Sequence, residues 1–299
     1  MAIDGVFIHY LLEEIKPQII NKRIQKLICI NDYEYQFVLP YKQKLLITLN
    51  AHGAHIRLTE EQYLHSPTIL SAFLKKHLEG GLITDLYQYH NDRIIIMNIT
   101  NTDDLGYHLY YNIILELTGR NSNLIITDNN YTILECLKKS IQEDRILQPK
   151  ATYEFLESNK VNPYTIIDYQ FQELEGVSKL LLEEINYVSN LKKVINQEKN
   201  PTIIETNDKV YFYVFDLKHL EGKRTHFASI SEMLEEYFTN KLNEISQNNE
   251  QKRLYQFINK EISKLSQKLA KQEIELQEAK ENLKLQEVAN VLVANIHLV

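Results

Sequence analysis

Short segments rich in β-branched and aromatic residues follow one another through the first sixty residues, and no other feature limits the fold as strongly. Three of them, RIQKLICI (23–30), EYQFVLPY (34–41) and KLLITLN (44–50), are separated by the polar turns NDY and KQK. AHIRLT (54–59) is a fourth. Short strands joined by tight turns predict an antiparallel meander. Before it, residues 7–20 have the apolar spacing of a helix.

Helices and strands alternate in the next segment. SPTILSAFLKKHLEGG (66–81) predicts a helix with Ser66 as its N-cap and the paired glycines at its end. LITDLYQY and RIIIMNIT predict strands on either side of Asp92-Arg93, which places this dipeptide in a hairpin turn or at the start of a strand. GYHLYYNIILELTG (106–119) predicts a second helix, followed by a polar loop and the strands LIIT and YTILECL.

The remaining chain divides into two parts. In residues 151–240, FQELEGVSKLLLEEI (171–185) predicts a helix-turn-helix around Gly176, and YFYVFDL (211–217) predicts an apolar strand. Gly176 follows Glu175, and Glu173 is nearby, which favours a packing role over phosphate binding. The predicted fold class is α+β, with domains at 1–150 and 151–240 and the start of a coiled coil at 241–299.

A heptad pattern runs through the last part. Apolar residues recur at 3-4 spacing from Tyr255 to Gln286, with Lys and Glu between them and glutamines at two seam positions. This spacing predicts a long coiled-coil helix, and such a seam requires a partner. We interpret the chain as an N-terminal fragment that lacks the returning helix, and we expect its C-terminal helix either to self-associate through the seam or to be frayed.

Composition restricts the environment of the chain. Hydrophobic residues make up 44% of the 299 residues, whereas Gly (8) and Pro (6) are scarce, so an ordered protein is expected. Cys29 and Cys136 are distant in sequence and neither lies in a CxxC, which favours a reducing compartment. The N-terminus lacks a basic region followed by an apolar run, so cytoplasmic localisation is expected.

The charge of the chain is unevenly distributed. The net charge is −7 overall, but residues 151–240 alone carry −6, whereas residues 1–150 carry −2 and residues 241–299 carry +1. Seven of the ten histidines also lie in the first segment. A phosphate-containing ligand is therefore expected to bind the first segment.

Sequence patterns of catalysis are missing. The sequence contains neither GxxxxGK[ST] nor GxGxxG, and no HExxH or serine or cysteine nucleophile elbow. His52 and His55 form an HxxH pair without a third ligand at metal spacing, so a structural role is predicted for them. We therefore expect neither an enzymatic activity nor a cofactor nor a metal.

Three strings in fixed order carry the strongest functional signal. They are AFLKKHLEGG (72–81), the dipeptide Asp92-Arg93, and ELTGRNSNLIITD (116–128). With Asp4-Gly5 and the sequence KRI that begins at Lys22, they resemble the N-terminal domain of the NFACT family. The resemblance is strongest over residues 1–150.

The resemblance implies a fold and a function. The fold would be similar to the N-terminal domain of formamidopyrimidine-DNA glycosylases, followed by a helix-hairpin-helix-like module; the reactive N-terminal proline and glutamate of those enzymes are replaced here by Ala2 and Ile3. The function would be to bind tRNA and the large ribosomal subunit with stalled peptidyl-tRNA, recruiting alanyl-tRNA for template-free tailing of the nascent chain.

The same resemblance assigns tRNA binding to Asp92, Arg93, Glu116 and Leu117. Two of them have an ordinary alternative: Asp92 satisfies backbone donors of a turn, and Glu116 is solvated on its predicted helix.

Candidate phosphate contacts are Lys75, Lys76, His77 and Arg120. The alternatives are a solvated helix face for the first three and capping of helix carbonyls for Arg120.

An alternative function comes from the older name of the family. It would be a fibronectin- or fibrinogen-binding adhesin at the cell surface, reached by non-classical export. A purely structural role for the three strings explains their helices but not their order.

Overall fold

The structure, a computed structural model, describes residues 3–51, 53–142, 145–166 and 173–296, without the side chains of 242–256 and 284. The chain forms two compact units, Met1–Phe238 and Thr239–Val299. It is a mixed α+β protein with a β-rich N-terminal region and a C-terminal helix. The domain boundary near residue 150 stays a prediction.

The predicted first helix is confirmed as α1, Gly5–Ile19. Asp4 is its N-cap and accepts from the Phe7 backbone N–H at 2.9 Å. The same buried carboxylate accepts from the Ser178 N–H at 3.0 Å and from the Tyr213 hydroxyl at 2.9 Å. Burial raises the pKa of Asp4, and these hydrogen bonds oppose that shift. Asp4 thus fastens the start of α1 to residues far along the chain.

The predicted meander is confirmed as a four-stranded antiparallel sheet. It is formed by β1 to β4 in sequence order. Its buried side chains contact α1 in one core cluster. The bounds are β1 Lys26–Asn31, β2 Glu34–Val38, β3 Lys44–Thr48 and β4 His55–Thr59.

The predicted helix near residue 70 forms, but it begins later than expected. α2 spans Ser71–Leu78 without a side-chain cap. Ser66 is not the N-cap, because its backbone N–H donates to the Cys29 carbonyl at 2.7 Å, outside the helix. The C-terminal end agrees with the prediction, since Gly80 adopts a φ of 79° just beyond α2.

The structure differs most from the sequence prediction in a second antiparallel sheet. Its strands run in sequence order from β5 to β9. The helix predicted over residues 106–119 is wrong, because His108–Glu116 is strand β7 at the centre of this sheet. The bounds of the other strands are β5 Leu82–Gln88, β6 Ile94–Thr102, β8 Asn123–Thr127 and β9 Ile133–Cys136.

The wrong prediction of a helix at β7 has a physical cause. Ile113 and Leu115 belong to one core cluster, whereas Ile114 belongs to another cluster on the opposite face of the sheet. A strand that is buried on both faces has a continuous apolar run, which periodicity cannot distinguish from a buried helix. The succession of Tyr and Ile residues was the signal for a strand.

The segment around Gly176 also differs from the prediction. In its described part, residues 173–176 form a bridge and a turn, and only α3, Lys179–Val188, is helical, so a helix-turn-helix centred on Gly176 is wrong. Phe171 and Gln172 lie outside the described residues. Gly176 has a φ of 61°, and a Cβ on it would meet the Asn91 carbonyl oxygen at 1.7 Å. Close packing therefore requires glycine here.

Short elements complete this unit. The hairpin strands β10 and β11 follow the second sheet, α4 follows α3, and a three-stranded sheet has the order β13-β12-β14. The predicted apolar strand at 211–217 is confirmed in its first half by β13. The bounds are β10 Ser140–Gln142, β11 Arg145–Leu147, α4 Leu191–Ile195, β12 Thr202–Glu205, β13 Val210–Tyr213 and β14 Lys223–His226.

The predicted C-terminal helix is confirmed as α5, Ile230–Ala294. Six apolar seam residues with described side chains are between 42% and 64% exposed: Ile258, Ile262, Leu265, Leu269, Leu276 and Leu283. The coiled-coil pairing and self-association stay predictions. No helix in the described part of the chain is both long and apolar enough to cross a membrane.

Candidate nucleic-acid interface

The turn between β5 and β6 presents Asp92 and Arg93 at the end of the second sheet. The Asp92 backbone N–H donates to the Tyr89 carbonyl at 3.0 Å, and the Asp92 carboxylate accepts from the Arg93 backbone N–H at 2.7 Å. The Gln88 side chain donates to the Asp92 and Gly5 carbonyls at 2.8 and 2.9 Å. The predicted hairpin-turn position is confirmed, and Asp92 does satisfy a backbone donor.

Asp92 and Arg93 line an open pocket of about 380 Å³. Ser158, Lys160 and Glu175 line the same pocket. Glu175 is buried and accepts from the Asn91 backbone N–H at 3.2 Å, whereas Lys160 forms an exposed ion pair with Glu173. Among the described residues, the Arg93 guanidinium has no hydrogen bond or ion pair. The pocket is therefore lined by two cations, Arg93 and Lys160, and by three carboxylates, of which Asp4 and Glu175 are buried.

Glu116 and Leu117 lie directly beside this turn. Ile94 is opposite Glu116 in the pairing of β6 and β7, and the Leu117 backbone N–H donates to the Arg93 carbonyl at 2.8 Å. The Leu117 side chain is buried in the core. The sheet register therefore brings together all four residues that the sequence resemblance selected.

The alternative for Glu116, a solvated residue on a helix, is wrong. Glu116 ends a strand and is only 5% exposed. The Arg145 guanidinium donates to both of its carboxylate oxygens, and the Tyr153 hydroxyl donates to one of them at 2.7 Å. An ionised carboxylate is stable in such a place only when charge and hydrogen bonds are supplied together. The Glu116 side chain is thus hydrogen-bonded inside the protein and does not face solvent.

Arg145 and Tyr153 were missed by the sequence analysis. Burial opposes the charge of Arg145, but the hydrogen bonds and charge of Glu116 prevail and raise the pKa of the guanidinium. Burial, and then the charge of Glu116, raises the pKa of the Tyr153 hydroxyl, which keeps it a donor. The Arg145 guanidinium also lies 5.1 Å from the centre of the Tyr153 ring. Their spacing from Glu116 carries no sequence motif, so only the tertiary structure shows this group.

The basic turn of α2 lies elsewhere. The Lys75 ammonium contacts His65 at 3.0 Å, Lys76 is exposed, and the His77 ring contacts the Tyr111 hydroxyl at 3.0 Å. Burial, and then the charge of Lys76, lowers the pKa of His77, so this ring is neutral near pH 7. The turn therefore contains two cations, not three.

Strand β6 separates the basic turn of α2 from Asp92 and Arg93. Asn101, at the far end of β6, donates to the His77 carbonyl at 2.9 Å, whereas Arg93 precedes the start of the strand. Eight residues of extended chain separate them, roughly 26 Å at about 3.3 Å per residue. The structure does not bring the α2 turn together with Asp92 and Arg93.

Arg120 lies in a 3-10 turn, Gly119–Asn121, that follows β7. Its side chain is exposed, and its carbonyl accepts from the Lys138 ammonium at 2.7 Å. The alternative role of capping a helix end is wrong, because a strand precedes this turn, and the predicted phosphate contact stays a prediction. Arg120 and Lys138 form a small basic surface between the ends of β7 and β9.

His55 is a structural residue, as predicted, whereas His52 lies outside the described residues. The His55 ring stacks on Phe238 with 4.3 Å between ring centres. Its Nδ1–H donates to the Gly53 carbonyl at 2.6 Å, and its Nε2 accepts from Arg57 at 2.7 Å. Burial, and then the charge of Arg57, lowers the pKa of His55 to about 3. Since both ring nitrogens are bonded, the imidazole is not free to ligate a metal.

Comparisons with known proteins agree with this architecture. A family model described as NFACT N-terminal and middle domains matches residues 4–191 and 173–299. The chain therefore belongs to the NFACT family. These two matches together extend over nearly the whole sequence.

Relatives and solved structures are consistent with that membership. The Rqc2 homolog RqcH of Streptococcus pneumoniae (serotype 2, strain D39) is 30% identical over 92% of this chain and 55% of its own length. The protein of the same name from Bacillus subtilis is 26% identical over 100% of this chain and 59% of its own length. The chain thus spans a little over half of these relatives. A crystal structure of the fibrinogen binding protein from Staphylococcus aureus has a TM-score of 0.70 and 25% identity, covering 80% of this chain and 99% of that one.

Proposed function

We propose that this chain is a non-enzymatic RNA-binding factor of ribosome-associated quality control. It binds tRNA and the large ribosomal subunit with stalled peptidyl-tRNA in the cytoplasm, and it recruits alanyl-tRNA for template-free C-terminal tailing. The observation that carries this proposal is the Arg93 guanidinium, which has no hydrogen bond or ion pair among the described residues, beside the Asp92 carboxylate in an open pocket. The relatives named Rqc2 homolog RqcH support the cellular process.

The chemistry of the turn suits RNA. A guanidinium forms two parallel hydrogen bonds with a phosphate or a base edge. The Asp92 carboxylate accepts from a base amine or a ribose hydroxyl, and proteins read the unstacked parts of RNA in this way. Asp92 and Arg93 are therefore the proposed contact residues.

Glu116 and Leu117 act in this proposal through position rather than through contact. The Leu117 N–H holds the Arg93 carbonyl, and Glu116 ends the strand that sets the register of this edge. Both side chains are buried. We propose that they fix the backbone from which Arg93 projects, and that Arg145 and Tyr153 hold Glu116 in turn.

The proposed role requires no catalytic residue. Peptide transfer belongs to the ribosome, so binding and orientation of tRNA are sufficient. We also interpret the N-terminal region as similar in fold, but not in reaction, to the formamidopyrimidine-DNA glycosylases.

An adhesin that binds fibronectin or fibrinogen is the second candidate function. The observation that favours it is the likeness to the fibrinogen binding protein from Staphylococcus aureus. The two functions predict different ligands, so they can be separated directly.

Sequencing of the RNA that co-purifies with the full-length protein tests the proposed function. Enrichment of one tRNA family over total cellular RNA is expected, and the Asp92→Ala, Arg93→Ala variant purified in parallel should lose it. Random RNA or none, together with binding of the purified protein to immobilised fibrinogen, would instead support the adhesin.

The α2 turn gives a separate prediction about phosphate contacts. If Lys75 and Lys76 contact phosphates, replacing both with glutamine should reduce the slope of log affinity against log salt by about one for each lost contact. The slope is measured by tRNA binding over a salt series. Lys218→Gln with Lys223→Gln removes the same charge from exposed positions near the three-stranded sheet and serves as control. If both double variants keep the original slope, the α2 lysines form a solvated face.

A further inference from the structure

Three aromatic rings form a column beside the turn that contains Asp92 and Arg93. Tyr89 stacks on Phe155 with 4.0 Å between ring centres and 15° between planes. It also stacks on His90 with 4.3 Å and 13°. Two rings cannot occupy the same face of a third at these distances. The order of the column is therefore Phe155, Tyr89, His90.

The inner end of the column is fixed in the protein. Tyr131 and Tyr153 meet Phe155 edge to face at 5.5 and 4.9 Å. Tyr153 donates to Glu116, which forms the buried ion pair with Arg145. The column is thus held in place through Tyr153, whose hydrogen-bond acceptor Glu116 lies beside the Arg93 turn.

The outer end of the column is open. His90 is exposed, and among the described residues Tyr89 is the ring that stacks on it. Its backbone has a φ of 51°, a left-handed conformation that histidine tolerates better than most residues. The chain therefore keeps an uncommon backbone conformation at the residue that ends the column.

The column and the pocket share two chain segments. Residues 89–93 carry two of the stacked rings and also the pocket residues Asp92 and Arg93. Residues 155–160 begin with the third ring and continue to Ser158 and Lys160, which line the pocket. Stacked aromatic faces next to cationic groups are the features that bind single-stranded nucleic acid.

We propose that the outer face of His90 is a stacking subsite for an unpaired nucleobase of RNA, while Arg93 contacts the adjoining phosphate. The subsite rests on the proposed function in that its ligand is RNA. It adds a preference for unpaired over fully paired RNA, which the charges of the pocket alone do not provide. Histidine stacks on any base, so the subsite selects for an unpaired state rather than for a sequence.

Two substitutions at one position test the subsite in the 299-residue chain. His90→Asn removes the ring and keeps a residue that tolerates the left-handed backbone, whereas His90→Tyr keeps a ring. The probes are an RNA hairpin with an unpaired loop that contains 2-aminopurine and a fully paired RNA duplex with the same number of phosphates. Thermal melting of each variant confirms that it folds.

His90→Asn should weaken binding of the hairpin by about 5- to 150-fold, the effect of losing one base–aromatic stack. Its affinity for the duplex should not change. His90→Tyr should bind the hairpin as the original chain does and quench the 2-aminopurine fluorescence, and His90→Asn should not quench it.

The other outcomes overturn the subsite. Unchanged binding of the hairpin by His90→Asn, or an equal loss for hairpin and duplex, would show that His90 does not stack on an unpaired base. The Asp92→Ala, Arg93→Ala variant distinguishes the two proposals on the same probes. If only that variant loses affinity, the proposed function stands without the subsite. If the original chain binds neither probe, the subsite is wrong, and the co-purified RNA decides the proposed function separately.

Discussion

Replacing Glu116 with alanine is expected to lower the free energy of unfolding by about 3–5 kcal/mol, the effect of removing one member of a buried ion pair. The variant leaves Arg145, whose side chain is 16% exposed, without its counter-ion and the Tyr153 hydroxyl without its acceptor. Both groups would then be poorly solvated and unpaired. Urea unfolding at neutral pH, followed by circular dichroism, measures the change.

Two further variants separate this effect from a general loss of charge. Glu135→Ala removes a carboxylate from the more exposed pair with Lys139 and should cost at most about 1 kcal/mol. Glu116→Leu with Arg145→Met replaces the buried pair by apolar groups and should recover much of the loss. A cost below about 1 kcal/mol for Glu116→Ala would mean that Glu116 does not hold this edge of the sheet, contrary to its proposed positioning role.

Replacing Asp92 and Arg93 with alanine is expected to weaken tRNA binding by about 10- to 150-fold for each charge-assisted hydrogen bond that is lost. The melting temperature should change little, since both side chains line an open pocket and neither belongs to the core. Filter binding at fixed salt, together with thermal melting, measures the two quantities on the same preparation.

Single substitutions refine this prediction. Arg93→Lys keeps the charge but removes the fork of donors, so it should lose affinity although electrostatic attraction remains. Asp92→Asn keeps an acceptor for the Arg93 backbone N–H, so it tests the carboxylate charge without opening the turn. A matched control is Asp208→Ala with Lys209→Ala, an acid-base dipeptide in the exposed turn between β12 and β13. If the variants at Asp92 and Arg93 bind tRNA as this control does, the dipeptide serves only the turn.

The most accurate and the least accurate predictions from the sequence concern neighbouring parts of one sheet. The turn between β5 and β6 was predicted because polar residues interrupt two apolar runs, which is a local signal. The strand β7 was mistaken for a helix because both of its faces are buried, so alternation was lost. The four residues selected by family resemblance nevertheless lie together at one edge of the sheet. Their selection did not depend on the predicted type of β7, and the pairing of β6 with β7 places Glu116 opposite Ile94, next to Arg93.

The sequence by itself determined the features that depend on short-range signals. These are α1, the four-stranded meander, the turn that presents Asp92 and Arg93, the glycine end of α2 and the presence of a long C-terminal helix. In each case, neighbouring residues supply the apolar period, the turn chemistry or the cap.

Only the tertiary structure decided what surrounds the site. It paired Glu116 with Arg145 and Tyr153, made Gly176 pack against the Asn91 carbonyl, and stacked Phe155 on Tyr89. These partners are 29 to 85 residues apart and carry no spacing rule. The physical reason is that a buried charge, a close backbone contact or a stacked ring is satisfied by whichever residue the fold brings near, and the chain records that partner nowhere locally.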